Sequence, residues 1–100
     1  MQKFDPAKAI PGTVLHDIDA SSLLAGRDEL EQSRLDDQHY LLATNTRRTT
    51  MIKVSCAGVI IGGNHGARAA AETDTPVEVY VVDFPQPSYG LILTIPVVPR

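Results

Sequence analysis

The sequence predicts an α+β fold, an N-terminal helical segment packed on a mainly antiparallel sheet of about four strands. Three observations lead there. Residues 1–38 carry helix-start signals and few apolar residues, whereas residues 39–100 hold apolar residues in alternation or in strand-length runs. The runs near 39–45, 50–61, 77–84 and 90–98 are separated by polar or Gly/Pro-rich connections. Between the second and third lies the alanine-rich stretch Ala67–Glu72, which has the highest helix propensity in the chain. One hundred residues, 43% hydrophobic and 21% charged, correspond to one globular domain spanning residues 1–100. An all-β sandwich, with Thr13–Ile18 as an added strand, is the competing arrangement.

In the head, Asp5 followed by Pro6 is a helix start, but Pro11-Gly12 stops it after one turn. Thr13–Ile18 alternates loosely and reads as a short strand. Asp19 caps a turn through Ala20–Ala25, with Gly26 as its C-terminal stop. Asp28 with Glu31 three residues later has the spacing of a capping box, and Leu30 and Leu35 supply a thin apolar stripe. Residues 19–37 are therefore expected to be helical, held to the surface by tertiary contacts because so thin a stripe buries little.

From His39 the pattern turns to strand. Tyr40–Ala43 leads into the polar tip Asn45–Thr50, a hairpin connection bearing Arg47 and Arg48. Ile52, Val54 and Cys56 then alternate with Lys53 and Ser55, and Gly58 marks a bulge or bend before Val59-Ile60-Ile61. Gly62–Gly66 is a loop by composition, and a short helix over 66–73 ends at Thr73-Asp74-Thr75-Pro76. Val77–Phe84 and Leu91–Val98 pair as a wide hairpin in this reading. One of its faces carries Tyr80, Val82, Phe84, Leu93 and Ile95, and the other is also apolar, so the ribbon requires two covers. Pro96 puts Leu91–Val98 at an edge, and Ile61–Val77 is long enough for its flanking strands to pair in parallel.

Composition and charge exclude several classes. The longest apolar run, Cys56–Gly63, is far shorter than the ~20 residues of a membrane span. No apolar segment follows Lys3, so no secretory signal is visible and a cytoplasmic protein is expected. Cys56 is the single cysteine, which excludes an internal disulfide and a cysteine-based zinc site. A net charge of −3 disfavours nucleic acid as a partner, although the charge is segregated. Residues 16–38 hold seven acids against Arg27 and Arg34, whereas residues 40–71 hold Arg47, Arg48, Lys53 and Arg68 and no acid. Folded side by side, the two segments neutralise each other; kept apart, they steer a partner.

The segment most suggestive of chemistry is Gly62-Gly63-Asn64-His65-Gly66-Ala67-Arg68, a strand end, glycine-rich loop and helix start. Unpaired N–H groups at a helix start attract phosphate or carboxylate, and Arg68 adds positive charge. Gly62, Gly63, Asn64, His65, Gly66 and Arg68 therefore form an anion-binding candidate. The glycine spacing matches neither the Walker lysine motif nor the dinucleotide fingerprint. Gly63-Asn64-His65 resembles the Gly-Asn-His element of calcineurin-like metallophosphoesterases, whose Asn and His serve a two-metal centre. That family's companion elements are missing: His16-Asp17-Ile18-Asp19 runs in the wrong order, and Gly26-Arg27-Asp28 does not match. His16, His39 and His65 lack ligand spacing, Cys56 alternates inward as a small hydrophobe, and no serine sits in a nucleophile elbow.

No catalytic constellation, cofactor or metal site is expected. The expected function is that of a small non-catalytic interaction protein, a homo-oligomer or an adaptor. Its contacts would come from the apolar sheet face (Tyr80, Val82, Phe84, Leu93, Ile95) and from the basic hairpin (Arg47, Arg48, Lys53). The alternative is a small-ligand, anion or nucleotide-binding module at Gly62–Arg68.

Overall fold

The computed structural model of the chain describes residues 1–44 and 51–100. In chain order its regular elements are β1 (Val14–Ile18), β2 (Leu30–Glu31), α1 (Gln32–Thr44), β3 (Met51–Ser55), β4 (Ile60–Gly62), α2 (Asn64–Glu72), β5 (Val77–Val82) and β6 (Val97–Val98). Single 3-10 turns stand at Pro6–Lys8, Ala20–Ser22 and Ile92–Thr94.

The sheet is organised around β5, whose β-branched Val77, Val79 and Val81 recur every second residue and are fully buried. The strand order is β1-β5-β3-β4. β1 runs antiparallel to β5 and β4 antiparallel to β3, while β3 and β5 are parallel. The fold is thus α+β with a mainly antiparallel four-stranded sheet. The parallel pair is joined through β4 and α2, the crossover that the length of Ile61–Val77 permits. Gly58, with φ 83°, turns the chain tightly, so that Ile60–Gly62 returns as β4 beside β3. Its missing side chain also matters: a Cβ there would stand 2.8 Å from the Phe4 ring.

Three expected elements are placed differently. The strand near 39–45 is, as far as Thr44, the C-terminal half of α1. Leu35, Gln38, His39 and Leu42 turn inward on it at helical spacing, a period that outweighs the strand-like look of Tyr40-Leu41-Leu42. Of the helix expected over 19–37 only Gln32–Asp37 is helical, as the start of α1; before it stand a 3-10 turn, capped by the Asp19 carboxylate on the Ser21 N–H, and extended chain into β2. The capping-box spacing of Asp28 and Glu31 starts no helix, because Leu23, Ala25 and Leu30 are buried on extended backbone. There Leu24 exchanges hydrogen bonds with Gly58 and Ile60, and Ala25 with Tyr89 and Gly90. A helix would leave those partners unpaired.

Leu91–Val98 forms no hairpin with β5, since β1 and β3 already occupy both edges of that strand. It makes instead the turn at Ile92–Thr94 and the short β6, which pairs in parallel with β2. Ile95, expected on an open face, lies in the core at 4% exposure. The two-sided apolar ribbon therefore does not exist.

One core joins head, sheet and tail. Ile52, Val54, Ile60, Val77, Val79 and Val81 meet Leu23 and Leu30 from the head and Ile92 from the tail. Ala67, Ala70 and Ala71 of α2 belong to the same cluster, and their small side chains let the helix lie close against its neighbours. Among the described residues no helix is long and apolar enough to cross a membrane.

Gly26 is the tightest backbone contact in this core: a Cβ built on it would lie 1.8 Å from the Ile60 carbonyl oxygen. Gly26→Ala is expected to lose several kcal/mol in urea unfolding, since backbone must move on both sides. Gly12→Ala is the control. With φ 90° and nothing within 4 Å, it carries only the left-handed strain of about 1–2 kcal/mol.

Candidate functional site

The anion candidate forms the entry to α2. Gly63, at φ 102°, is the N-cap, a conformation that glycine adopts without strain. Having no side chain, it leaves the first turn of the helix without a side-chain cap. Gly62 and Gly63 are exposed, whereas His65 and Gly66 are buried.

The side chains of this segment point to other parts of the chain. The Gly26 N–H donates to Asn64 Oδ1 at 3.0 Å. The Glu31 N–H donates to His65 Nε2 at 3.0 Å, so the neutral ring carries its proton on Nδ1. Arg68 donates from Nη1 to the carbonyls of Ile92 and Ile95, at 3.1 and 2.7 Å, and from Nε to Glu72. The structure thus brings Gly62, Gly63, Asn64, His65 and Gly66 together at one helix start but commits Arg68 to fastening the tail.

Two cations that the sequence reading left out of the site stand there instead. Arg27 and Arg34 both pair with Glu31, at 3.6 and 3.5 Å, and both act on His65. Their arrangement is visible in sequence only as the i−4 and i+3 spacing around Glu31. Burial, reinforced by Arg34 and then Arg27, holds the His65 pKa below its ordinary 6.5, against the smaller opposing pull of Glu31. At the other end of α2, burial alone would raise the Glu72 carboxyl. Hydrogen bonds from Arg68 and His39 outweigh it and keep the group below its ordinary value.

The second candidate is the sheet face opposite α2. Across the β3–β5 register Lys53 stands beside Tyr80 and Met51 beside Glu78, while Val14 of β1 flanks Tyr80 on the other side. Tyr80 is 37% and Met51 50% exposed, with Val14 and Val82 half-buried. His16 bonds Glu78 across the same face. Four of the expected contact residues are accounted for near here: Lys53, Tyr80 and Val82 on the strands, and Phe84, 55% exposed, two residues past the end of β5. Leu93 is exposed but sits on the Ile92–Thr94 turn, away from the strands. Arg47 and Arg48 lie outside the described residues.

Among the described residues no ion pair joins the acids of 16–38 to Lys53 or Arg68. Nor, among them, does any group of three or more His, Cys, Asp or Glu side chains gather as a metal would require. Comparison with family models, with curated proteins and with solved structures found no match to this chain.

The His65 contact has a pH consequence. Its folded pKa lies below the unfolded one, so the unfolded chain binds the proton more readily. Stability from this group is fully present above 6.5 and is lost as pH falls through the folded value. Melting temperatures taken between about pH 7.5 and 5 should fall more steeply for the natural chain than for His65→Gln, which keeps an acceptor but cannot titrate.

Proposed function

We propose that the chain is a non-catalytic interaction module that binds a second copy of itself through the open face of its sheet. The observation that carries this is the one-sided cover. Among the described residues α2, Leu23 and Leu30 of the head and Ile92 of the tail join the core on one face, while Tyr80, Val82, Met51 and Val14 stay at least partly exposed on the other. An aromatic anchor ringed by half-buried aliphatic residues is the composition of an interface centre. The charges of the face suit self-pairing. Lys53 and Glu78 flank Tyr80 within the same patch, so a two-fold partner would set Lys53 of one copy against Glu78 of the other.

Light scattering on a sizing column at tens of micromolar (roughly 50 µM) should give a dimer, and Tyr80→Glu should give a monomer with an almost unchanged melting temperature. A natural chain that remains monomeric at that concentration, by an equal mass for both forms, would end this reading.

The uncapped, Gly63-opened start of α2, with Arg27 and Arg34 close by, supports a second reading as an anion-binding module. It predicts that inorganic phosphate raises the melting temperature and that Arg27→Gln with Arg34→Gln abolishes the rise. If phosphate leaves the natural chain unmoved, this reading fails.

A further inference from the structure

The N-terminal strap runs back along β1 without closing on it, and the gap between them is a cleft of about 280 Å³. One end is sealed where the Gln2 N–H donates to the Asp17 carbonyl and the Gln2 carbonyl accepts from Asp19. The other end is closed by the turn at Ile10–Thr13, which returns the chain to β5 through the Gly12 and Thr13 bonds to Val81. Its apolar wall is Val14, Leu15 and Ile18, of which Val14 and Leu15 remain half-buried. Lys3 and Lys8 line it from the strap.

Those two lysines are set apart from most cations of the chain. Among the described residues each arginine has a carboxylate partner: Arg27 and Arg34 on Glu31, Arg68 on Glu72, Arg100 on Glu29. Lys3, Lys8 and Lys53 have none within 4 Å, and two of those three line this one cleft. Asp5, which also borders it, uses its carboxylate to cap the Ala7 N–H. Two lysines against the single carboxylate of Asp5 leave positive charge in excess beside the apolar wall.

We infer that this cleft binds a small carboxylate bearing an apolar tail, with the head between Lys3 and Lys8 and the tail along Val14 and Leu15. At about 30 Å³ per water the volume holds roughly nine waters, or a ligand of about ten non-hydrogen atoms such as octanoate. Charge supplies the orientation and the apolar wall supplies the discrimination among tails. The site shares Val14 and His16 with the edge of the Tyr80 face, but Lys3 and Lys8 belong neither to that face nor to the start of α2, so the variants below test it apart from both readings above.

The test is a titration of the full chain with sodium octanoate, followed residue by residue in an amide correlation spectrum. Saturable shifts confined to Lys3, Lys8 and residues 14–18 are expected. Acetate, which lacks the tail, and octanol, which lacks the charge, should each bind at least tenfold more weakly. Lys3→Gln combined with Lys8→Gln should abolish the octanoate shifts while leaving the remaining spectrum in place, since both lysines are exposed. Absence of localised saturation with octanoate overturns the inference. So does equal affinity for acetate, or undiminished binding by the double variant.

Discussion

Segments without regular structure carry backbone groups that must still be paired once buried, and here α2 does much of that pairing with side chains. Asn64 takes the Gly26 N–H, His65 takes the Glu31 N–H, and Arg68 gives two hydrogen bonds to the carbonyls of Ile92 and Ile95. Head and tail are thereby fixed to a single nine-residue helix that is itself buried on most of its surface. The residues that give the segment its catalytic look in sequence are the same ones that perform this structural work. Asn64 and His65 are acceptors for backbone donors, and Arg68 is a charge-assisted donor to carbonyls that no ladder reaches.

A similar constraint shapes the sheet. Because β5 has strands on both sides, the apolar tail cannot pair with it, and it folds onto the core instead. That placement buries Ile92 and Ile95 on the helical side, and among the described residues no helix covers the opposite face. An antiparallel sheet tolerates one solvated face, and this one is only partly polar. His16, Glu78 and Lys53 wet it, while Tyr80, Val82 and Met51 keep it capable of being covered.

What was legible in the sequence follows from the range of the interactions involved. The α+β class, the alternation of β3 and β5, the helix expected over 66–73, which starts two residues earlier at Asn64, and the turn at Gly58 all rest on local periods and on local backbone freedom, which a sequence displays directly. The misplaced elements depend on distant partners. Residues 23–30 hold capping and helix signals, yet Gly26 is pressed onto the Ile60 carbonyl and Leu23 and Leu30 are wanted in the core. Leu91–Val98 has strand composition, but whether it pairs with β5 is decided by β1 and β3 taking those edges first. For the sites, the glycine loop was visible as a helix start, while the diversion of Arg68 to the tail was not. A cation four residues from Glu72 shows an ion pair in sequence and nothing of the carbonyls beyond it.

The packing also divides the surface by consequence. Side chains turned toward α2 are close-packed with backbone, as at Gly26, so changes there act on stability before anything else. Recognition that spares the fold must therefore use groups the core does not need. The pairing of the charges draws the same line. The described arginines are spent on Glu29, Glu31 and Glu72, where a planar fork can hold a carboxylate and a carbonyl together, and they tie elements to one another. Among the described residues the lysines at 3, 8 and 53 form no ion pair, and they lie along the strap and on the open face, beside half-buried apolar side chains. Positive charge next to incompletely covered apolar surface costs the folded chain little while it stays in water. The two proposed contacts fall in those places, on the far side of the sheet from α2 and at its β1 edge.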